Sequence, residues 1–401
     1  MKQQSHSIIL TVTKQKLLNN KNFKGRFIRP FFIGLILMNK IGIYIHIPFC
    51  KSKCPYCDFY SMRSDEIGYD DYTMCVLESL ETWANKLGRK ADTLYLGGGT
   101  PSIIGGRNIA LIVRRAKELF GVDGEITVEC NPSATEDGFF ETVARAGVNR
   151  VSIGMQSAVD SERKKLGRAA DSGKVKEHIN EARKAGIDNI SLDVMLGVPN
   201  QTMKTLEQTV EFCTKMNVPH VSAYMLKLEE GTYYYNNAEK LNLPDEDETA
   251  DMYLRLGEIL AKNGMRNYEI SNFAKAGFEG KHNLKYWNCD EYIGIGPAAH
   301  SFVDGKRFYY PRDIDYFKSG SEPVEDGNGG DEEEYIMLRL RLADGIVFKD
   351  YEERYNKKIS PEILEKAKVF AEKKYINITE TSMHLTREGF LVSNYIISEL
   401  I

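Results

Sequence analysis

A chain of 401 residues with 42% hydrophobic and 27% charged residues has the composition of a soluble globular protein and is too long for one small core. Its formal charge of −4 offers no broad field for a polyanion such as nucleic acid. No apolar run reaches the roughly 18 residues that a membrane span requires.

The first 38 residues carry seven Lys or Arg and no Asp or Glu, with an apolar stretch over 31–37. That pairing imitates a signal peptide, but the stretch is short and no small-residue cleavage site follows. Met38 precedes Asn39, Lys40 and the first convincing strand, so residues 1–38 are expected to be a disordered or non-native extension.

From residue 41 onward, short β-rich apolar runs alternate with longer amphipathic segments at the spacing of repeated βα units. Strands are expected at 43–47, 94–96, 126–130, 151–155, 190–194 and 221–226. Helical patterns such as 72–83, 110–119 and 139–146 lie between them. Near-continuous apolar strands joined by helices imply a parallel sheet covered on both faces. The expected fold is α/β, a partial (β/α)6 TIM-like barrel over 39–265. Polar and glycine residues collect just after the strands, at Gly97-Gly98-Gly99-Thr100, Asn131-Pro132, Gln156-Ser157 and Gly197-Val198-Pro199, where barrels of this kind build their sites.

After residue 265 the alternation fades into an aromatic, Asn-rich extension over 266–330. The acidic, glycine-rich run from Glu325 to Asp331 reads as a linker. Beyond it, 331–401 reads as a small, mainly helical, winged-helix-like domain, with helices over 333–342, 361–374 and 386–400 and a short β element at 375–378 and 384–385.

Seven cysteines form an odd set. Cys75, Cys130, Cys213 and Cys289 stand singly, which is no disulfide framework and points to a reducing, cytoplasmic compartment. Cys50, Cys54 and Cys57 instead share one loop directly after the first strand. Three thiolates at that spacing can bind three corner irons of a [4Fe–4S] cluster and leave the fourth iron open to a chelating small molecule. A zinc site would normally need a fourth ligand, and no second CxxC lies nearby.

The CxxxCxxC loop followed by Gly97-Gly98-Gly99-Thr100-Pro101 resembles the radical S-adenosylmethionine (SAM) superfamily. More narrowly, His46-Ile47-Pro48-Phe49-Cys50, Glu129-Cys130-Asn131-Pro132, Gly154-Met155-Gln156-Ser157, Leu166-Gly167-Arg168 and the run from Asp193 to Pro199 resemble the group of oxygen-independent coproporphyrinogen III oxidase and the HemW heme chaperones. The resemblance implies a cluster whose open iron binds the amino and carboxylate groups of SAM, and whose electron cleaves the sulfonium to methionine and a 5′-deoxyadenosyl radical. It places SAM contacts at Tyr44, Gly98, Gly99, Thr100, Glu129, Gln156, Arg168 and Asp193, with a weaker match at Lys227.

Two features separate the members of that group. The oxidases carry a further cysteine two residues after the third, where this chain has Phe59. His282-Asn283-Leu284-Lys285-Tyr286-Trp287 resembles the HNxxYW signature of the heme chaperones, with His282 as an iron ligand and Asn283, Tyr286 and Trp287 beside a porphyrin. His300 and Cys289 are alternative ligands, and the residues also allow His282 to cap a turn over a core filled by Tyr286 and Trp287. The resemblance therefore implies a heme carrier, with SAM-dependent oxidative decarboxylation of coproporphyrinogen III to protoporphyrinogen IX as the alternative. Its expected partners are heme and heme-accepting proteins, membrane-bound respiratory enzymes among them. A homodimer, and passing contact of a cytoplasmic protein with the membrane surface, go with that expectation.

Overall fold

Isoleucine at positions 41, 43, 45 and 47 makes one face of the first strand wholly apolar, and all four side chains are fully buried. The computed structural model describes residues 40–63 and 68–401, and the expected extension over 1–38 lies outside the described residues. Strand β1 (Ile41–Ile47) is followed by helix α1 (Tyr69–Leu87), β2 (Ala91–Gly98), α2 (Gly105–Phe120), β3 (Glu125–Cys130), α3 (Phe139–Ala146), β4 (Arg150–Gln156), α4 (Ser172–Lys184), β5 (Asn189–Leu196), α5 (Met203–Lys215), β6 (His220–Met225) and α6 (Glu246–Lys262). The six strands read from the sequence are all present and pair in parallel in chain order.

The extension adds to the same sheet. It contributes β7 (Arg266–Glu269), β8 (Asn272–Ala274), helix α7 (Lys281–Trp287), β9 (Tyr292–Ile295), β10 (His300–Val303), β11 (Lys306–Tyr309) and β12 (Val324–Asn328). The order is β12-β11-β10-β9-β1-β2-β3-β4-β5-β6-β8-β7. Strand β9 lies parallel to β1, a seventh parallel strand in a stretch without clear sequence period. A flat sheet would hold β1 and β6 about 24 Å apart. Yet Cys50 and Gly98 line one cavity with Met225 and Lys227, so the sheet is strongly curved.

The curvature sorts the side chains. Leu94, Leu96, Ile126, Val128, Val151, Ile153, Ile190, Leu192, Val194 and Val221 pack with the isoleucines of β1 in the core under the helices. The alternate positions face the barrel interior, and they are polar or aromatic: Tyr44 and His46, Thr93 and Tyr95, Thr127 and Glu129, Ser152 and Gln156, Ser191 and Asp193, Ser222 and Tyr224.

The lower interior is plugged by α7. Glu125 accepts the N–H groups of Lys281 (3.0 Å) and His282 (3.1 Å), capping the helix from across the sheet. Lys285 reaches the Lys40 carbonyl at 3.0 Å and Asp92 at 2.9 Å. Gly42 lets the helix approach: a Cβ there would stand 2.9 Å from Lys285 and 3.2 Å from the His282 ring.

Two expectations about the later chain are corrected. The acidic run taken for a linker is largely β12, paired antiparallel with β11. It is the sheet's outermost strand and mostly exposed, so charged residues and a positive-φ Gly327 suit it. The segment over 386–400 is two helices, Arg387–Leu391 and Ser393–Leu400.

The C-terminal domain has helices Glu332–Arg339, Phe348–Tyr355 and Pro361–Glu372 and a small sheet ordered Ile346–Val347, Ser382–Leu385, Ile376–Ile378. Its core includes Trp287, Cys289, Tyr292 and Phe302, so it packs as one body with the extension. No helix among the described residues is long and apolar enough to cross a membrane.

Glu269 sits at this seam, 1% exposed. Burial pushes its carboxyl from 4.5 up to about 7, against hydrogen bonds from Ser271, Asn272 and Trp287 and the nearby Arg341. The folded chain thus holds this proton more tightly than the unfolded chain, and the stability it contributes at low pH is lost as pH rises through that window. Glu269→Gln is expected to flatten the fall in urea midpoint between pH 4.5 and about 7; parallel curves for the two proteins would contradict it.

Candidate functional site

The loop after β1 is held at both ends. Phe49–Cys50 pairs with Met62–Arg63, and the N–H groups of Gly99 and Thr100 donate to the carbonyls of Ile47 and Phe49, each at 2.8 Å. Gly99 is required by that approach, because a Cβ would stand 2.6 Å from the Phe49 oxygen. Farther along, His46 Nε2 donates to the Tyr60 carbonyl at 2.9 Å while Nδ1 accepts the Tyr44 hydroxyl at 2.9 Å. Burial lowers His46 to about 4, so the ring is neutral and that pairing is its natural tautomer. Arg312 bonds the Asp58 carbonyl from the opposite side.

Cys50, Cys54 and Cys57 are half-buried on this loop and face one cavity of about 220 Å³ at the carboxyl ends of the strands. Burial pushes the Cys57 thiol up to about 11, with Cys54 and Cys50 adding to the shift and Arg168 opposing it. Among the described residues, no three His, Cys, Asp or Glu side chains are gathered tightly enough to hold one metal ion. A cubane takes its protein ligands on separate irons, one thiolate to each.

Every expected SAM contact lines this cavity except Tyr44, and Lys227 lines it too. Tyr44 lies one layer lower, pointing its hydroxyl at His46, because its β1 position falls below the rim. Gly98 donates to Glu129 Oε2 at 3.2 Å, and Tyr95 donates to Oε1 at 2.6 Å. Gln156 stands at φ 69° where β4 bulges, which turns its side chain into the cavity. Arg168 donates to the Tyr56 hydroxyl at 2.9 Å, while its buried Nε has no protein partner. Asp193 is steadied by Ser152 at 2.9 Å. Tyr56, Ser152, Met195 and Tyr224 also line the site. Ser152 and Met195 were visible as positions two residues from Gly154 and Asp193 along their strands.

The heme candidates are placed differently. His282 is fully buried. Its Nδ1 bonds Thr93 Oγ1 at 2.9 Å and its Nε2 bonds the Tyr286 hydroxyl at 2.8 Å. His282, Asn283, Tyr286 and His300 border an inner cavity of only about 40 Å³, separated from the large one by Phe59, Gly98 and Glu129. The cysteine-lined cavity, at about 220 Å³, is several times larger. Trp287 and Cys289 belong to the C-terminal core. In this structure both ring nitrogens of His282 are engaged, by Thr93 and Tyr286, and the ring borders the small inner cavity.

A curved parallel sheet whose first loop offers three thiols to a cavity rimmed by Gly98, Glu129, Gln156, Arg168 and Asp193 defines a radical SAM protein. The Radical SAM superfamily model matches residues 44–213 and the HemN C-terminal domain model matches 332–392. The heme chaperone HemW of Lactococcus lactis (strain IL1403) is 32% identical over 377 residues, covering 91% of this chain and 98% of the relative. That of Bacillus subtilis (strain 168) is 34% identical over 367 residues, covering 88% and 96%. The solved structure of coproporphyrinogen III oxidase (HemN) from Escherichia coli, a radical SAM enzyme, superposes with a TM-score of 0.78 at 19% identity, covering 90% of each chain. The chain belongs to the HemW family of radical SAM proteins.

Membership implies a [4Fe–4S] cluster and SAM, and the residues fit both. Cys50, Cys54 and Cys57 would hold three irons. The unpartnered Arg168 Nε and the glycine rim beside Glu129 are suited to the polar ends of SAM. When bound, the cluster supplies an open iron and an electron.

Proposed function

We propose that this chain is a heme chaperone, which binds heme and delivers it to heme-requiring proteins, with the cluster and SAM serving structure, assembly or regulated transfer. The observation that carries this reading is the end-to-end likeness to HemW chaperones, at 32% identity over 98% of one relative. Phe59 supports it, since it fills the wall of the SAM cavity where the oxidases, by resemblance, carry a cysteine. Likeness of fold to the oxidase does not decide chemistry.

With His282 enclosed, the heme contact in this reading lies at the cavity rim. Met225 borders the cavity and is 38% exposed, and Tyr233 and Tyr235 are 64% and 48% exposed. The tyrosines flank Tyr234, whose N–H bonds Pro55 of the cluster loop at 2.9 Å. Exposed aromatic and thioether groups suit a flat, apolar macrocycle and its iron. Acceptors include membrane-bound respiratory enzymes, and the carrier works as a cytoplasmic protein that meets them at the membrane surface.

The test is anaerobic. Cluster-loaded protein is titrated with heme while the Soret band is followed, and is separately given SAM, a reductant and coproporphyrinogen III. Saturable heme binding, weakened in the Tyr233→Ala, Tyr235→Ala double variant, is the expected result. Catalytic conversion of the porphyrinogen would overturn the reading.

A further inference from the structure

We propose that His282 is a positioning residue for the SAM cavity, acting through Tyr95 on Glu129. The inference does not depend on heme carriage; it rests on SAM occupying the large cavity. The His282 ring lies stacked on Tyr95, with centroids 5.3 Å apart and planes at 27°. Its Nδ1 bonds Thr93, two residues before Tyr95 on the same face of β2, and its Nε2 bonds Tyr286. The imidazole is thus clamped at both nitrogens and presses a flat face on Tyr95. Tyr95 in turn donates to Glu129 Oε1 at 2.6 Å, while Gly98 holds Oε2 at 3.2 Å.

Glu129 therefore enters the cavity with both oxygens fixed, and one of those two restraints is only as rigid as the Tyr95 ring. The inner cavity makes that rigidity matter. Its roughly 40 Å³ borders Tyr95, and the buried Asn283 Oδ1 beside it has no hydrogen-bond partner. Tyr95 has space to swing if the ring behind it is removed. A carboxylate held ready for a ligand's donors binds it without reordering on association, and loosening it loses that advantage.

The experiment measures SAM affinity of the full, cluster-loaded chain by anaerobic calorimetry, with the change in the reduced cluster's paramagnetic spectrum as a second readout. His282→Ala and Tyr95→Phe are each expected to weaken SAM about tenfold, the size of losing one charge-assisted hydrogen bond. The double variant is expected to bind no worse than either single one. His282→Phe keeps the stacked ring and removes both nitrogens, so it is expected to retain SAM binding. If His282→Ala does not fold, His282→Leu replaces it, filling the volume without a flat face. Unchanged SAM affinity in the Ala or Leu variant, fully additive losses in the double variant, or loss of SAM binding in His282→Phe would each overturn the proposal. Failure of the unsubstituted protein to bind SAM would instead strike the cavity assignment itself.

Discussion

Cys54→Ala is expected to abolish the iron–sulfur chromophore and to reduce SAM binding below detection, while leaving the fold intact. Three thiolates are the minimum that holds a site-differentiated cubane, and removing one leaves a second iron without a protein ligand. SAM then loses both the chelating iron and the order of the loop that carries Tyr56, the partner of Arg168. Stability should change little, because Cys54 is half-buried on a surface loop and deleting its sulfur opens no core cavity.

Cys130 is the discriminating control. It ends β3, borders the same cavity and is 4% exposed, with burial holding its thiol protonated. Cys130→Ala is expected to keep its full iron and sulfide content, as is Cys213→Ala in the core. Iron and sulfide analysis of anaerobically reconstituted protein checks all three, and a cluster surviving in Cys54→Ala would refute the ligand assignment.

Glu125→Ala is expected to cause the largest loss of stability, about 3–5 kcal/mol, the scale for stripping one partner from a buried ion pair. Glu125 and Arg150 are 5% and 2% exposed, with Nε and Oε2 3.9 Å apart, and Arg150 would be left charged inside the barrel. The same carboxylate caps α7 through the N–H groups of Lys281 and His282, so the plug would lose its anchor as well. Glu125→Gln keeps an acceptor for one of those two groups and should cost less. Urea unfolding with matched slopes measures both. A loss under about 0.5 kcal/mol, as for an ordinary surface substitution, would show that the pair is not structural.

This plug links stability to the site. Helix α7 closes the amino end of the barrel, the cofactor cavity opens at the carboxyl end, and Tyr95, Glu129 and Phe59 lie between them. The HNxxYW stretch is therefore wedged under the cofactor cavity, with Trp287 turned outward into the C-terminal core and bonded to Glu269. The stretch thus joins two layers of the barrel to the C-terminal domain.

Much of this was legible in the residues alone. The six βα units, the cysteine loop after the first strand and the glycine turn after the second are local patterns, and each has one backbone solution. The order of site residues along the strands followed, because loops at the carboxyl ends of parallel strands must meet. The seventh parallel strand and the edge strand β12 were hidden: four or five residues carry too little period to stand out, and an exposed edge tolerates charge and glycine.

The depth of a side chain was equally hidden. Strands buried on both faces read as continuous apolar runs, so the sequence put Tyr44 among the cofactor contacts without ordering it along the barrel axis. Only the tertiary structure decided that Tyr44 sits beneath the cofactor cavity and that His282 has both nitrogens satisfied at the opposite end. Those facts depend on where α7 crosses the sheet, and Glu125, Gly42 and Thr93, contributed by three separate strands, set that crossing.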